Sequence, residues 1–510
     1  MYTFLIFTMN KKDYLICFFV ALISFISRAP LIEKYQSYWD GPDYSIAVVR
    51  FSLAEHTPTP PGYPLYIALG KFFHLFIQDP HMSILAVSVF ASMLGSVALY
   101  IVGMKMYNRL VGIAATAIYL TGSTFYYFGL TPYGYGLLPG MEVLLGYCIY
   151  QIFIKRKYNG YLFGIIFGIL FGIRPQELLQ IFPLVFFGMY LLPQMDRIKA
   201  FGIWLAITLM WLTPLIYSTG SIQAYITLNY NELLSAVAGN SIATHIEVII
   251  KGFLLSFGLS AGFLLYYVWF FFRNKKIIKK SKKYIIFYTI WIIPGFLYNL
   301  LLRSDQAGYQ MSYLSAFLLI IPYALWASTT KKKLFYVIAI IIVAVFNLYW
   351  FFYNRDPNYT KPYRFTSFHY SDIRKNDLIM SSKVNFVQKK FAPKTTYIIA
   401  TVALWRPYSY YLKNYYITSL FGLDNTDKPY IYNQFDGYNW NIDWHQNYQF
   451  VINISPNIST IVFMDNPAST WIKNYPFKAY HLPGNSTVTV ISIKSKSKLL
   501  YGYHSIKIFK

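Results

Sequence analysis

Residues 39–66 read WDGPDYSIAVVRFSLAEHTPTPPGYPLY, and this stretch decides how the rest of the chain is interpreted. It follows the first long apolar segment and places two carboxylates, Asp40 and Asp43, near the end of that segment. Gly41-Pro42 and the prolines near the end restrict the backbone. One interpretation is a charged loop whose carboxylates are only solvated. The other is that Asp40 acts as a general base at the mouth of a membrane enzyme.

The composition is that of a polytopic membrane protein. Hydrophobic residues make up 56% of the 510 residues and charged residues only 13%, whereas a soluble chain carries about 25% charge. The net charge of +25 therefore fits lipid headgroups beside the spans and does not require nucleic acid. The two cysteines, Cys17 and Cys148, lie in apolar segments, so neither a disulfide framework nor a CxxC metal site is expected.

Apolar segments recur along residues 1–352, which we assign to a transmembrane domain. A helix needs about 20 apolar residues to cross the hydrocarbon layer. A helix at Tyr63–Phe76, after Pro60-Pro61, is too short to cross and is predicted to lie along the membrane surface, in a first outer loop and juxtamembrane region at residues 32–80. The pattern predicts about eleven spans: Tyr14–Leu31, Ser83–Met104, Val111–Phe128, Leu137–Ile154, Tyr161–Ile173, Leu178–Leu192, Ala200–Tyr217, Val248–Phe272, Tyr284–Leu302, Tyr313–Ala327 and Phe335–Phe352.

Residues 353–510 have a different composition, and we predict that they form a soluble α/β domain. Their apolar runs shorten to strand length after an amphipathic helix predicted at Ser371–Phe391. An odd number of spans with a cytoplasmic N-terminus places this domain and the loop at residues 32–80 on the extracytoplasmic side. The predicted strands are Tyr397–Ala400, Tyr415–Thr418, Gln449–Asn453, Thr460–Met464 and Thr487–Ile491.

Several polar residues on the predicted outer side are candidates for substrate binding. Arg174 lies between two apolar runs, where a guanidinium serves either as a membrane anchor or as a clamp for a phosphate. Asp43 is a second catalytic candidate, or else the N-cap of a helix over Tyr44–Leu53. Glu142, near the outer end of a span, is a weaker candidate. The full set of substrate-binding candidates is Arg28, His56, Tyr63, Tyr133, Tyr135, Arg174, Arg303, Gln306 and Tyr309.

Each candidate also has a structural interpretation. Tyrosines at membrane interfaces commonly act as anchors, His56 is equally interpreted as a loop histidine without a role, and Arg303 can pair with Asp305 in its loop. No nucleotide-phosphate loop, GxSxG or HExxH pattern occurs. Asp40 and Asp43 offer few ligands for a divalent cation, so we expect no cofactor and do not favour a metal.

The chain resembles the GT-C superfamily of membrane glycosyltransferases. The stretch Tyr38-Trp39-Asp40 through Pro60-Pro61-Gly62-Tyr63-Pro64-Leu65-Tyr66 is similar to that of bacterial relatives of the protein O-mannosyltransferases. Further short motifs similar to those of this group are Gly172-Ile173-Arg174-Pro175, Gly308-Tyr309 and Arg406-Pro407-Tyr408-Ser409-Tyr410-Tyr411. Two features depart from that pattern. Protein O-mannosyltransferases carry adjacent Asp-Glu in this loop, whereas Asp40 is followed by glycine. Their bacterial relatives carry a histidine before the PxPPGYP stretch, and His56 lies at a different spacing from that stretch.

The resemblance implies transfer of a hexose, of the mannosyl type, from a polyprenyl-phosphate donor to a glycan, lipid or protein acceptor. It implies an active site on the extracytoplasmic face of the cell's inner membrane, Asp40 as the base and inversion at the anomeric carbon. A transporter or lipid flippase is the alternative, although charged or broken helices at mid-membrane and related halves, which are typical of transporters, are not found in the sequence. A structural or assembly protein whose soluble domain binds a partner is a third interpretation.

The distribution of basic residues predicts the topology. Counted in the segments that flank the predicted spans and near the span ends, 19 Lys and Arg fall on the side of the N-terminus and 7 on the other, and basic residues favour the cytoplasm. We expect a reporter that is active only in the cytoplasm to give a signal when fused after Lys333 and none when fused after Lys510. A signal from the Lys510 fusion would contradict this topology.

Overall fold

The computed structural model describes residues 9–36, 39–237, 241–273, 275–302, 307–329, 332–353, 368–420, 422–423, 429–436, 439–444, 449–465, 472, 475–494, 497–502 and 505–509. These residues form two compact units. The membrane unit contains the described residues among 1–32, 61–225 and 239–371. The sheet unit contains those among 33–60, 226–238 and 372–510, so the part of the predicted outer loop at residues 33–60 belongs to the same unit as the C-terminal residues.

Within the described residues the chain forms eighteen α-helices, linked in places by short 3₁₀ turns. The helices are α1 (Lys11–Arg28), α2 (Asp40–Val49), α3 (Pro64–His74), α4 (Pro80–Met106), α5 (Arg109–Thr121), α6 (Ser123–Phe128), α7 (Leu138–Phe153), α8 (Gly160–Ile173), α9 (Leu178–Leu191), α10 (Gln194–Thr219), α11 (Ile222–Val237), α12 (Ile242–Phe257), α13 (Ser260–Arg273), α14 (Lys275–Leu301), α15 (Met311–Ser328), α16 (Lys333–Tyr353), α17 (Tyr370–Lys390) and α18 (Val402–Tyr411).

Seven helical segments in the described part of the chain are long and apolar enough to cross a membrane, and the pair α8 and α9 adds an eighth if it counts as one bent span. α4, α7 and α15 are the most buried, whereas α1, α10 and α16 expose many apolar side chains. Apolar side chains on the outside of a helical bundle are stable where lipid covers them. The seven correspond to the predicted spans that begin at Tyr14, Ser83, Leu137, Ala200, Tyr284, Tyr313 and Phe335, which confirms those spans as long apolar helices.

Two predicted spans are not continuous helices, and a glycine lies at each break. The predicted span Val111–Phe128 is divided into α5 and α6 at Gly122, which has an extended backbone and lies so close to the carbonyl of Ser256 that a Cβ would contact it at 2.2 Å. The predicted span Val248–Phe272 is divided into α12 and α13 near Gly258, whose φ is +51°. The predictions of continuous helices here are therefore wrong, because hydropathy does not detect a backbone break.

The predicted spans Tyr161–Ile173 and Leu178–Leu192 form α8 and α9, and the chain bends by 118° between these two helices. Arg174 has an extended backbone and ends α8, and a 3₁₀ turn at Pro175–Glu177 leads into α9. The residue before a proline is disfavoured in helical conformation, so Arg174-Pro175 accounts for the bend. The bend places Arg174 and Glu177 next to each other in the membrane unit.

The surface helix predicted at Tyr63–Phe76 is present as α3. Pro64 occupies its first turn, where a missing N–H costs nothing, and Tyr63 precedes it in the left-handed conformation with φ of +46°. Tyr66 and Ile67 are buried, whereas Leu75 and Phe76 are exposed. The helix therefore has one face for packing and an apolar end.

The sheet unit contains most of the β-structure. Its strands are β1 (Thr396–Ala400), β2 (Tyr416–Ser419), β3 (Gly422–Leu423), β4 (Pro429–Asp436), β5 (Asn439–Trp444), β6 (Phe450–Asn453), β7 (Thr460–Phe463), β8 (Lys478–Leu482), β9 (Ser486–Ser492), β10 (Lys498–Gly502) and β11 (Ser505–Phe509). In the described residues, eight strands form a mixed sheet in the order β3-β4-β2-β1-β7-β9-β8 with β5 on β4, and β11-β10-β6 form a second sheet.

The mixed sheet is covered on both faces. β1 is parallel to both β2 and β7, and the other pairs are antiparallel. α17 and α18 pack on one face through Met380, Val384, Trp405 and Tyr408, and the second sheet contributes Leu499 and other apolar residues to the other core. This is the α/β arrangement predicted for the C-terminal residues.

The predicted helix Ser371–Phe391 is confirmed as α17, and the five predicted strands are confirmed as β1, β2, β6, β7 and β9, each within three residues at either end. The sequence analysis missed the strands β3, β4, β5, β8, β10 and β11 and the helices α11 and α18. Several of these missed elements alternate polar and aromatic residues, so their hydropathy is low.

The start of the outer loop is held against α17. The carboxylate of Asp377 accepts hydrogen bonds from the backbone N–H groups of Lys34 and Tyr35, both at 2.8 Å, and it pairs with Arg374 at 2.9 Å. Glu33 lies beside this group and is almost completely buried. Burial, and then repulsion from Asp377, raises the pKa of Glu33 well above its ordinary value of 4.5.

Glu33 is therefore predicted to weaken the sheet unit at neutral pH. A raised pKa in the folded state means that the folded protein binds more protons than the unfolded one above pH 4.5, so stability falls as the pH rises through this range. We expect Glu33→Gln to raise the melting temperature at pH 7–8, with the gain vanishing near pH 4. Thermal unfolding of the purified protein across this pH range measures the effect.

Glu55→Gln is the matched control. Glu55 lies in the same loop, but it forms a partly exposed ion pair with Arg50, and such pairs contribute about 0–1 kcal/mol. Its replacement should change the melting temperature little at either pH. An equal gain in both variants would show that loss of a negative charge, and not the burial of Glu33, is responsible.

Candidate functional site

The polar candidates form two clusters, one in each unit, and we describe each separately. The first is the acidic-loop cluster in the sheet unit, defined by Asp40, Asp43, His56, Thr59 and Arg406. Asp40 is the first residue of α2 and is partly exposed. An acidic residue in the first turn of a helix is favoured by the helix dipole.

Asp43 is fully buried and forms an ion pair with Arg406, which is also buried. The Nε of Arg406 donates to one carboxylate oxygen, and the hydroxyl of Thr59 donates to the other at 3.2 Å. The expected role of Asp43 as an N-cap is wrong, because α2 begins at Asp40 and Asp43 lies inside it. A buried carboxylate held by a guanidinium is poorly suited to accept a proton from a substrate.

His56 lies close to the same guanidinium. It ends the 3₁₀ turn Leu53–Glu55 in the left-handed conformation with φ of +52°. Burial lowers the pKa of His56 below its ordinary value of 6.5, and the charge of Arg406 lowers it further. The imidazole is therefore neutral at pH 7.

The second group is the Arg174 cluster in the membrane unit, defined by Tyr63, Tyr135, Arg174, Glu177 and Tyr309. The guanidinium of Arg174 lies over two aromatic rings, 4.4 Å from the centroid of Tyr135 and 4.5 Å from that of Tyr309. Its Nη1 donates to Glu177 at 3.1 Å and its Nη2 to the hydroxyl of Tyr135 at 3.3 Å. Arg174 and Glu177 are both fully buried.

Tyr63 and Tyr133 extend this cluster. The side-chain amide of Gln176, two residues after Arg174 in the chain, donates to the hydroxyl of Tyr63 at 2.8 Å. Tyr133 stacks on Tyr135 with ring centroids 6.1 Å apart. Gly308 lies against Tyr135 so closely that a Cβ would be 2.6 Å from the ring. The structure thus brings together the candidates Tyr63, Tyr133, Tyr135, Arg174 and Tyr309.

Sequence analysis missed the hydrogen-bonding partners behind Arg174. Gln180 donates to Glu177, and its side-chain oxygen accepts from Asn299 at 3.0 Å and Ser312 at 2.5 Å. Glu142, the weaker candidate, is buried within electrostatic range of both Glu177 and Arg174. Glu177 and Gln180 follow Arg174-Pro175 directly, so the polar run at residues 174–177 was the available signal.

Arg28 lies elsewhere in the membrane unit. It is fully buried, donates to the carbonyl of Leu120 at 3.1 Å and the hydroxyl of Ser27 at 3.0 Å, and lies 4.4 Å from the ring centroid of Tyr126. These contacts tie α1 to α5 and α6. The other two candidates, Arg303 and Gln306, lie outside the described residues.

Metal ligands are sparse in the part of the chain that the structure describes. Its His, Cys, Asp and Glu residues form no group of three that could hold a metal ion. The chemistry available in the two clusters is instead that of one accessible carboxylate, a neutral imidazole, and a guanidinium surrounded by tyrosines.

Comparison with known proteins identifies the fold. No protein-family model matches the sequence, and no curated protein matches it. Among solved structures, ArnT from Cupriavidus metallidurans bound to undecaprenyl phosphate has a TM-score of 0.55 at 12% identity, covering 80% of this chain and 86% of that one. Apo ArnT gives 0.55 at 11% identity, covering 94% and 97%.

The Archaeoglobus fulgidus oligosaccharyltransferase in its apo form has a TM-score of 0.42 at 11% identity, covering 79% of this chain and 63% of that chain. The chain therefore has the fold of ArnT, in agreement with the polytopic helical fold and C-terminal α/β residues predicted from its sequence.

The Arg174–Glu177 pair should behave as one energetic unit. Arg174→Gln or Glu177→Gln leaves one charge buried without its partner, which costs roughly 3–5 kcal/mol. We expect the double variant to be destabilised by clearly less than the sum, because no lone charge remains. Denaturant unfolding in detergent micelles gives the four free energies.

The exposed pair Glu247–Lys251, 2.5 Å apart and about half exposed, provides the control cycle. Its coupling should be about 0–1 kcal/mol because water screens both charges. Strict additivity at Arg174 and Glu177 would mean that the buried pair contributes no more than a surface pair.

Proposed function

We propose that the protein is a membrane glycosyltransferase that transfers a sugar from a polyprenyl-phosphate donor to an acceptor on the extracytoplasmic face. The observation that carries this proposal is the Arg174 cluster, in which three segments distant in sequence bring tyrosines around one buried guanidinium. The GT-C fold supports it, and ArnT, which has this fold, has been solved with undecaprenyl phosphate bound.

In this proposal Arg174 binds the donor's phosphate. A guanidinium offers several N–H donors in a plane that matches phosphate oxygens, and the hydroxyls of Tyr135 and Tyr63 add donors nearby. In the structure Glu177 occupies the position of an anionic partner. The donor phosphate would therefore replace Glu177 on the guanidinium, and Gln180, which already donates to Glu177, would retain the displaced carboxylate.

The lipid tail of the donor would lie among the helices of the membrane unit. A cavity of about 270 Å³ opens where α6, α12 and α16 meet, beside the break at Gly258. Its lining is mostly apolar, with Leu254, Leu255, Leu259, Phe346 and Trp350 among the residues. Such a surface suits an isoprenoid chain.

Asp40 is the proposed general base. The acceptor's hydroxyl oxygen attacks the anomeric carbon, the bond from that carbon to the phosphate oxygen breaks, and its electron pair leaves with the polyprenyl phosphate. The hydroxyl proton passes to the carboxylate of Asp40. A single displacement inverts the configuration at the anomeric carbon. Asp40 suits this role better than Asp43, since Asp40 is partly exposed and Asp43 is buried against Arg406.

The finer assignments are also proposals. A donor sugar of the hexose or mannose type, an acceptor that is a glycan, lipid or protein, and a location in the inner membrane follow the family resemblance. The proposed chemistry requires no metal, because arginine and tyrosine donors neutralise the leaving phosphate. The assay is therefore run with and without a chelator.

The test is sugar transfer by the purified protein in detergent from synthetic polyprenyl-phosphate sugars to a panel of glycan, lipid and peptide acceptors. Asp40→Asn keeps the side-chain shape but removes proton acceptance. A positioned base contributes roughly 10²–10⁴-fold, so kcat should fall by about that factor while donor binding is retained.

Asp79→Asn is the matched control. Asp79 caps α4 by accepting from the N–H of Met82 at 3.0 Å, and asparagine caps equally well. This variant should keep the wild-type kcat. Full turnover in Asp40→Asn would remove the base assignment, and movement of intact donor across vesicles without transfer would indicate a flippase.

A further inference from the structure

Two consecutive residues of α18 hold the chain on both sides of Asp40. On one side, Trp39 packs against Trp405, with ring centroids 6.0 Å apart, and against Tyr432 at 5.0 Å. On the other side, Asp43 pairs with Arg406. Asp40 lies between these two anchors, one residue after Trp39 and three before Asp43.

The same helix also holds the chain that leads into α2. The hydroxyl of Tyr411 accepts a hydrogen bond from the backbone N–H of Gln36 at 2.8 Å, and its ring lies 5.1 Å from that of Tyr35. Thr59, near the end of the loop, reaches Asp43 as well. The segment 402–411 thus contacts the chain before α2 and within its first turn.

Helix geometry transmits this hold to Asp40. Residues three apart in a helix lie on the same face, with their Cβ atoms about 5–6 Å apart. Because Asp40 and Asp43 belong to the same first turn, a fixed Asp43 side chain limits rotation of that turn. Moving a buried carboxylate away from the guanidinium that neutralises it leaves an uncompensated charge, which is costly, so the restraint is strong.

We propose that Arg406 is a positioning residue for the transfer reaction: by holding Asp43, it fixes the first turn of α2 and thereby the direction of Asp40. This inference rests on the proposed function in that it assigns Asp40 as the base. In it, Arg406 acts through Asp43. The resemblance to other enzymes gave no role for the stretch that begins at Arg406, and the proposal assigns it the positioning of Asp40.

The first measurement does not depend on activity. Hydrogen–deuterium exchange of the peptide that covers α2 is compared in the wild type, in Arg406→Gln and in Lys383→Met. Lys383 forms another buried ion pair of the sheet unit, with Asp465 at 3.1 Å. We expect faster exchange in α2 only for Arg406→Gln, and unchanged exchange there would overturn the proposal.

The second measurement is a double-mutant cycle in the transfer assay. Small misplacement of a reacting group can cost about 10²-fold, so Arg406→Gln should lower kcat by about that factor with the donor KM nearly unchanged. Arg406→Lys, which keeps the charge, should recover part of this loss. In the Asp40→Asn background, Arg406→Gln should have little further effect, because the base it positions is already absent.

Lys383→Met should lower kcat by the same factor in both backgrounds, as expected for a general loss of stability. Equal loss from Arg406→Gln in both backgrounds would mean that Arg406 is only structural, and would overturn the proposal. If Arg406→Gln does not fold, Asp43→Asn/Arg406→Gln replaces it, because that variant leaves no lone charge. If the wild type transfers no sugar, the proposed function fails, while the exchange measurement still decides whether Arg406 fixes α2.

Discussion

The buried ion pair between Asp43 and Arg406 is the contact on which the arrangement of the first outer loop depends. Removing two charges from water costs several kcal/mol for each ion, so such a pair persists only where its geometry is good and further hydrogen bonds complete it. Thr59 supplies one of these bonds. The pair joins residues 363 positions apart in the chain, and it is one of the contacts between residues 33–60 and the C-terminal residues, which form one compact unit.

A second buried guanidinium organises the membrane unit in a similar way. Arg174 follows from a local break, since Arg174-Pro175 ends α8 and turns the chain by 118°. Surrounded by apolar helices, its charge requires a carboxylate and polarisable rings, which Glu177, Tyr135 and Tyr309 provide. A charged group among apolar helices is costly to bury and marks a candidate functional site, and phosphate binding is the role that we propose for it.

Non-helical backbone inside the membrane unit also needs protein groups packed against it. The breaks at Gly122 and Gly258 interrupt otherwise apolar helices, and at Gly122 the chain packs directly against the backbone at Ser256. Irregular backbone is tolerated at membrane depth where protein buries it. Since the fold of ArnT is retained at 11–12% identity, the order of the apolar segments must carry much of the architecture, while few individual side chains are shared.

The sequence by itself determined the membrane character, seven of the long apolar helices, the presence of helix α3 and the α/β character of the C-terminal residues. These features depend on hydropathy and proline placement, which are local properties of the chain. It also indicated Tyr63, Tyr135, Arg174 and Tyr309 as candidates. Only the tertiary structure decided that these four residues lie together, that Asp43 forms a buried ion pair with Arg406, and that Glu177 forms one with Arg174. The physical reason is that a charge in an apolar interior takes its partner from wherever the fold brings one, and sequence distance does not reveal that choice.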